Sequence, residues 1–430
     1  MEETLIVLMG KERAGTLTRL DNNRLQFEYD DQYRSSKNAI PLSLSMPVAI
    51  KTHTDRVNRK TVSNFLWGLL PDNDAVIERW AKHYQVTTSS PFFLLGTPVG
   101  EDCAGAVRFC PPTETDRLLA RRGSVEWLSD ADLAQRLSDL RNDQTEWLGR
   151  EFNGQFSLAG AQSKIALTRD GDRWGLPSGD RPTTHILKPE NTGYSDHDIN
   201  EHLCLSAARY ADIRATASSI MRFGDESALV VERYDRRGSG EDTVRIHQED
   251  LCQALGLHPA DKYEQHHGPT ANQIVAFLRR TLPYTAAEGS SRDFIDGLIW
   301  NWIVAGTDGH AKNYSILLER DVQLAPLYDI ASILPYKKLD RYGRAVRMAM
   351  SIGGNYAMHL GRGEWGKSAA ALGVPTDALL ERIRVLVARA PEAFEKAAAD
   401  ARAMGVNSRM MDDLVKLIAE RAVTCAGEIA

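Results

Sequence analysis

The sequence contains few cysteines, and their spacing suits neither a metal site nor a disulfide framework. Only five occur in 430 residues; they are widely scattered, and no C-x-x-C pair is present. Zinc sites and small disulfide-rich folds both need closely spaced cysteines. We therefore expect reduced, mostly buried thiols in a cytosolic protein.

Long apolar runs and an excess of basic charge are also missing. The apolar run at 5–9 is too short for the core of a secretory signal, and acidic Glu2 and Glu3 stand where such a signal carries basic residues. No run approaches the roughly 20 residues of a membrane span. The net charge of −6 argues against a chain built as a whole to bind polyanions, although a local basic patch stays open. We expect a cytoplasmic protein without membrane contact.

The composition that remains is that of a soluble globular chain, with 43% hydrophobic and 26% charged residues. Residues 1–30 show the alternation of a β-meander, and strand-like runs dominate 155–235 around one helix near 198–210. Beyond 245 the pattern is mainly helical. The predicted helices outside the strand-rich region are 63–70, one within 127–150, 248–256, 270–282, 292–305 and 376–428.

The order of these elements predicts an α+β protein in three parts. The first, 1–150, is a mixed α/β subdomain with a boundary near 145–155. The second, 151–240, has the strand–helix–strand order of a kinase small lobe. The third, 241–430, is largely helical. A chain of 430 residues is long enough for each part to have a sizeable core.

Asp308 and Asn313 stand five residues apart in the run GTDGHAKN, and Asp329 follows sixteen residues after Asn313. The kinase catalytic loop H-R-D-x-x-x-x-N has the same offset between base and metal ligand. Phosphoryl transfer needs one carboxylate to accept the proton of the attacking hydroxyl, and an amide oxygen and second carboxylate to hold Mg²⁺. The apolar run 298–305 predicts a buried helix that ends at Gly306 and holds this loop rigidly. Each residue alone also suits a turn or a helix cap.

Three upstream segments could complete a nucleotide site. Lys188 ends the run THILK, which is similar to the kinase strand whose lysine pairs with phosphates, and Glu201 in the next helix could orient it. Small residues at 157–164 let backbone N–H groups approach anionic oxygens, although this is neither G-x-G-x-x-G nor a Walker A loop. Residues 232–234 follow an apolar strand, where a kinase hinge meets adenine. By pattern alone, an exposed lysine and an ordinary turn are the commoner explanations of the first two segments, and an edge strand explains the third about as well as a hinge.

Taken together, these segments resemble the HipA family of serine/threonine kinases, the toxins of bacterial toxin–antitoxin pairs. PLSLSMP at 41–47 and NFLWGLLPD at 64–72 are similar to the family's N-terminal domain. The resemblance covers nearly the whole chain and implies a two-lobed protein-kinase-like fold of class α+β. The segments similar to the kinase core are 157–164, 184–188, 231–237, 248–256, 262–264, 307–313 and 328–329.

The resemblance implies a role for individual residues. Asp308 matches the catalytic aspartate, and Asn313 and Asp329 match the Mg²⁺ ligands. Ser157 matches the serine that family members autophosphorylate, which ejects the loop and inactivates the kinase; a phosphate there would repel those of ATP. Ser163 replaces an acidic residue of the best-known relative, which would alter the loop's charge or add a second phosphorylation site. The implied ATP contacts are Ala159, Gly160, Ala161, Gln162, Ser163, Lys164, Lys188, Glu232, Arg233, Tyr234, His310, Ala311, Lys312, Asn313, Tyr328 and Asp329.

The implied activity is ATP- and Mg²⁺-dependent phosphorylation of a protein serine or threonine. The implied target is an aminoacyl-tRNA synthetase, with glutamyl-tRNA synthetase the first choice, and the implied partner is a small helix-turn-helix antitoxin of the HipB type. DNA contact would come through that partner, since this chain shows no recognition helix of its own. Two alternatives stay open: a small-molecule phosphotransferase with the same loop, and a non-enzymatic kinase-like co-repressor. The co-repressor is disfavoured by the intact residues Asp308, Asn313, Asp329 and Lys188.

Overall fold

The computed structural model describes residues 3–120, 123–151, 153–190, 193–337 and 346–430. The elements of its N-terminal part are β1 (Glu3–Met9), β2 (Glu12–Arg19), β3 (Leu25–Tyr29), α1 (Asp31–Ser35), β4 (Thr52–Thr54), α2 (Thr61–Leu69), α3 (Asp74–His83), α4 (Pro91–Leu95), β5 (Val107–Cys110) and α5 (Thr115–Ala120). The strands form one antiparallel sheet in the order β4-β3-β2-β1-β5. Leu25, Phe27 and Tyr29 are fully buried on one face of β3, as their alternation predicts. The predicted β-meander is confirmed.

The middle part is a six-stranded antiparallel sheet. Its elements are β6 (Ser124–Leu128), α6 (Asp130–Asn142), β7 (Ile165–Asp170), β8 (Arg173–Ser178), β9 (His185–Pro189), α7 (His197–Tyr210), β10 (Ser218–Phe223) and β11 (Glu226–Glu232). The strand order is β10-β11-β9-β7-β8-β6, and both helices pack on β10 and β11. Residues 127–150 are predicted to be helical, but the helix α6 is shorter than this range. It starts later because β6 pairs with β8, and a capping box between Ser129 and Asp132 then begins α6.

The C-terminal part is largely helical, as predicted. Its elements are β12 (Arg236–Arg237), β13 (Val244–Arg245), β14 (His247–Asp250), α8 (Leu251–Leu255), α9 (Ala271–Thr281), α10 (Tyr284–Ile303), β15 (Ser315–Leu318), β16 (Gln323–Leu324), β17 (Arg347–Ile352), β18 (Asn355–Ala357), α11 (Arg362–Leu372), α12 (Thr376–Ala403) and α13 (Arg409–Glu428). The strands β14, β15 and β16 form a small antiparallel sheet, whose strand β15 directly follows the loop 306–313.

Three helix predictions in this part are wrong in their bounds. The segment 248–256 begins as a strand, because residues up to Asp250 pair with β15 before Asp250 caps α8. The helix predicted to end at Gly306 ends at Ile303, and Ala305 rather than a glycine takes the left-handed conformation, with φ +54°. The predicted helix 376–428 is two helices, interrupted at Gly405, where φ is +85°, and restarted by the Ser408 cap.

Two large hydrophobic cores lie on either side of the six-stranded middle sheet. One core joins the N-terminal sheet, α2 and α3 to α6 and the middle sheet, with Phe65, Trp80 and Trp147 inside it. The other is centred on α10 and α12 and contains Trp300 and Trp302. The parts 1–150 and 151–240 thus share one core, and the three-part division with its boundary stays a prediction. All five cysteines are buried and unpaired, as expected. None of the described helices is long and apolar enough to cross a membrane.

Candidate active site

The loop 306–313, which the sequence predicts to be catalytic and which we call the catalytic loop, follows the end of α10 at the base of a cleft between the two cores. Asn313 donates from Nδ2 to the backbone carbonyl of Asp308 over 2.7 Å, which closes the loop on itself. The Asp308 carboxylate is 63% exposed and accepts a hydrogen bond from the hydroxyl of Tyr263 over 2.5 Å. His310 is only 3% exposed, and burial lowers its pKa, so its ring is neutral at pH 7. The Asp308 carboxylate is therefore the most exposed ionisable group that this loop presents to the cleft.

Lys188 lies between two carboxylates at the back of the cleft. Its Nζ is 2.8 Å from Oε1 of Glu201 and 2.5 Å from Oδ1 of Asp329. Burial opposes the charge on Lys188, but the two carboxylates raise its pKa above the ordinary lysine value. Burial raises the pKa of Glu201 to about 7; the ammonium of Lys188 opposes this rise, and the nearby charge of Asp329 adds to it. Although burial also acts on Asp329, Lys188 and Lys164 hold its pKa well below the usual range. The pairing of Lys188 with Glu201 is as the sequence predicted.

Asn313 and Asp329 fit a magnesium ion that arrives with phosphates. Because Nδ2 of Asn313 is bound to the loop, its side-chain amide oxygen is the atom left to bind a metal, and Asp329 adds an ionised carboxylate. Asp329 has a left-handed backbone, with φ +58°, a conformation that functional sites often impose on non-glycine residues. Within the described residues no three acidic, histidine or cysteine side chains form a metal cluster. Mg²⁺ suits one or two protein oxygens completed by phosphate oxygens.

The loop at 157–164 lies over the cleft with its serine turned inward. Ser157 is fully buried; its Oγ donates to the carbonyl of Leu69 over 2.8 Å, and its N–H donates to the carbonyl of Asp102 over 2.9 Å. Gly160 has φ +102°, and a Cβ there would lie 2.8 Å from Nζ of Lys164. Lys164 donates to the carbonyl of Ala159 over 2.9 Å, and burial lowers its pKa to about 7. The loop therefore brings a readily titrated cation to the cleft.

The segment at 232–234 lines another part of the same cleft. The ring of Tyr234 packs 5.5 Å from that of Tyr328, which lies beside Asp329. The guanidinium of Arg233 is buried and bonds to the Asp235 carboxylate over 2.8 and 3.0 Å, so this charge is held away from a nucleotide. Glu232 is exposed at the end of β11.

One cavity of about 510 Å³ brings most of the predicted residues together. Asp308 and fifteen of the sixteen predicted ATP contacts line it; Ala311 is fully buried and does not, and neither does Ser157. Lys312 reaches the wall, but its ammonium pairs with Asp72 and Asp250 at 3.3 and 3.4 Å. The prediction assigned no role to Asp72 or Tyr263, which also line the cavity. The signal for both was present, because they lie in segments that carry the family resemblance.

Two family models match this chain. The HipA-like C-terminal domain matches residues 156–394, and the HipA N-terminal domain matches residues 5–110. The first match contains the 157–164 loop, the lysine–glutamate pair and the catalytic loop, and it covers more than half of the chain. The second contains the five-stranded sheet together with α2 and α3.

Curated relatives and one solved structure agree with these matches. A putative kinase of Sinorhizobium fredii, Y4mE, is 30% identical over 416 residues, covering 95% of either chain. The serine/threonine-protein kinase toxin HipA of Shewanella oneidensis is 27% identical, over 83% of this chain and 81% of its own. A structure of Shewanella oneidensis HipA with HipB and operator DNA superposes with a TM-score of 0.77 at 23% identity, covering 99% of this chain and 96% of that one. The last similarity supports the protein-kinase-like α+β fold.

Proposed function

This chain belongs to the HipA family of serine/threonine-protein kinase toxins, and from that premise we propose that it transfers the γ-phosphoryl group of ATP to a protein serine or threonine. The observation that carries the proposal is the single cavity that contains Asp308, Asn313, Asp329 and Lys188. A base, two metal-ligand oxygens and a phosphate-binding cation are the parts that phosphoryl transfer requires.

In the proposed mechanism, each residue acts at a defined point of the reaction. Asp308 orients the attacking hydroxyl and accepts its proton, while Glu201 holds Lys188 against the phosphates. The backbone of 159–164 and the ammonium of Lys164 bind phosphate oxygens, and Tyr234 supplies an aromatic ring for the base. Mg²⁺ bound by Asn313 and Asp329 would neutralise charge on the phosphates. The hydroxyl oxygen forms a bond to phosphorus as the bond to the ADP oxygen breaks.

We assign Ser157 as an autophosphorylation site that switches the enzyme off. In this conformation Ser157 is buried, so its hydroxyl can reach a kinase centre only after the loop leaves the cleft. A phosphorylated Ser157 could not return to its buried position beside the Leu69 carbonyl, because burying the phosphate's charge would require a counter-charge. The modified loop would therefore stay out and leave the nucleotide site incomplete. Ser163 hydrogen-bonds to the carbonyl of Gln144 over 3.0 Å and is partly exposed, which makes it the second candidate.

The proposed partners follow from the family. The Shewanella oneidensis structure contains HipA with HipB and operator DNA. We propose that this chain likewise binds a small HipB-type helix-turn-helix antitoxin, and that DNA contact occurs through that complex. The proposed substrate is an aminoacyl-tRNA synthetase, with glutamyl-tRNA synthetase as the first candidate to assay.

Radiolabelled ATP in a bacterial lysate tests the activity directly. Wild type and Asp308→Ala are incubated with ATP and Mg²⁺, labelled proteins are mapped, and Asp321→Ala serves as a matched control at an exposed position. We expect wild type and the control to label Ser157 and at least one other protein, and Asp308→Ala to label none. Equal labelling by wild type and Asp308→Ala would refute the catalytic assignment. Label that enters only a metabolite would favour the small-molecule phosphotransferase.

A further inference from the structure

The end of helix α2 contacts both loops of the active site. The segment 68–72, which we call the α2 turn, belongs to the N-terminal part of the chain. The Leu69 carbonyl accepts from Ser157 over 2.8 Å, and the N–H of Asp72 donates to the carbonyl of Gly160 over 3.1 Å. These two bonds hold the loop 157–164, the proposed phosphate-binding loop, at Ser157 and at Gly160.

The same turn also holds the catalytic loop, through the Asp72 carboxylate. Its Oδ2 lies 2.9 Å from Nζ of Lys262, and its Oδ1 lies 3.3 Å from Nζ of Lys312. Lys312 stands one residue before Asn313, and the Lys262 carbonyl accepts from the N–H of Ala311 over 3.2 Å. Both partners of Asp72 are therefore parts of the catalytic loop or directly bonded to it.

The charges around Asp72 are balanced and largely removed from water. Lys312 has a side-chain exposure of 2% and pairs with Asp250 as well, at 3.4 Å, while the Asp72 side chain is 11% exposed. Lys262 and Lys312 thus face Asp72 and Asp250, two cations against two anions. Removing one carboxylate would leave a buried ammonium partly uncompensated, which moves the group that carries it. The position of Lys312 thus depends on Asp72.

We propose that Asp72 is a positioning residue that couples the phosphate-binding loop to the catalytic loop, so that the N-terminal part of the chain is a working component of the kinase centre. Both carboxylate oxygens of Asp72 contact lysine ammonium groups, those of Lys262 and Lys312, so we assign Asp72 to positioning the two loops and not to the chemical step. The kinetic consequence rests on the proposed phosphoryl transfer, whereas the coupling of the two loops does not.

The test uses the full-length chain with Asp72→Asn, which keeps the backbone N–H and the side-chain volume but removes the charge. Lys262→Met removes one partner from the opposite side. Asp296→Asn is the matched control, because Asp296 is a buried carboxylate paired with Arg382 over 2.7 Å and does not line the cavity. Two readouts are measured: hydrogen exchange of 157–164 and 308–313 without nucleotide, and kcat and KM for ATP.

We expect Asp72→Asn and Lys262→Met to speed exchange in both loops, and Asp296→Asn to leave exchange there unchanged. We expect kcat to fall roughly 10- to 100-fold in the first two variants, with KM for ATP changed less than about threefold, because misplaced reacting groups affect the transition state more than ground-state binding. Exchange and kcat that match the Asp296→Asn control would overturn the proposal. If wild type transfers no phosphate, the proposed function fails, and exchange alone decides whether Asp72 couples the loops.

Discussion

The phenolic hydroxyl of Tyr263 donates a hydrogen bond to Oδ1 of Asp308 over 2.5 Å. Because the Asp308 carboxylate is 63% exposed, this bond is the main restraint on its orientation among the side-chain contacts of the described residues. The second carboxylate oxygen, Oδ2, lies 3.9 Å from Nε2 of His310, beyond hydrogen-bond distance. That oxygen is therefore the one available to a substrate hydroxyl.

Replacing Tyr263 with phenylalanine should lower kcat by about fivefold while leaving the Kd for ATP unchanged. The carboxylate would then sample orientations that do not point at the substrate, at a loss of about 1 kcal/mol, a typical value for one hydrogen bond. Steady-state kinetics and titration with a non-hydrolysable analogue measure the two quantities. Tyr284→Phe, at a position 81% exposed, is the control. A rise in kcat would instead mean that the phenol competes with the substrate.

Replacing Glu201 with glutamine should raise the Mg²⁺ concentration needed for half-maximal activity several-fold. Lys188 now divides its charge between Glu201 and Asp329, at 2.8 and 2.5 Å. Without the Glu201 charge, the ammonium would stay on the Asp329 oxygen that the metal needs. Activity is titrated with Mg²⁺ at fixed ATP, and exposed Glu395→Gln provides the control. An unchanged Mg²⁺ dependence would show that Glu201 does not govern this competition.

The sequence best predicts which residues come together in one cavity where short stretches of chain link them. Asp308, Asn313 and Asp329 are recognisable because their offsets along the chain are set by one loop and one hairpin. Lys188 and Glu201 are recognisable because a strand and the next helix are short, regular units. In each case the local pattern and the final position are linked by few residues of chain.

The contacts that the sequence does not predict are those between distant segments. Asp72 pairs with Lys312, which lies 240 positions later in the chain. Arg233 points into a buried ion cluster with Asp102, and no local sequence pattern predicts that contact. The strand His247–Asp250 was predicted as helix because its pairing with β15 is a tertiary contact that overrides local propensity. The predicted end of α10 is wrong for a similar reason. The buried loop imposes a left-handed backbone on Ala305, a residue type that does not favour it.

Replacing Glu249 with glutamine should remove part of the pH dependence of stability. Burial raises the pKa of Glu249 to about 8, and the side chain bonds to Ser43 and to the N–H of Leu44 over 2.5 and 2.7 Å. A folded-state pKa above the ordinary 4.5 means that the protonated form stabilises the fold. This contribution is complete below about pH 4.5 and is lost as pH rises through 8, with a slope of up to about 1.4 kcal/mol per pH unit. The difference in unfolding free energy between wild type and Glu249→Gln should therefore shift against wild type from pH 5 to 9. Glu12→Gln, exposed on β2, should show no such shift.

ATP binding should take up a proton at alkaline pH, and its affinity should fall as pH rises from about 7 to 9. Burial lowers the pKa of Lys164 to about 7, so above that pH its amine is mostly neutral in the free protein. Phosphate oxygens nearby would favour the charged form, so binding restores the proton, and Kd rises by up to about tenfold per pH unit. Calorimetry at pH 8 in Hepes and in Tris, which differ in ionisation enthalpy, gives the number of protons taken up. We expect a value approaching one for wild type and for the exposed control Lys396→Met, and a much smaller value for Lys164→Met. Equal proton uptake with and without Lys164 would mean that another group takes up the proton. Lys164 would then serve only to hold the loop, through its 2.9 Å hydrogen bond to the Ala159 carbonyl.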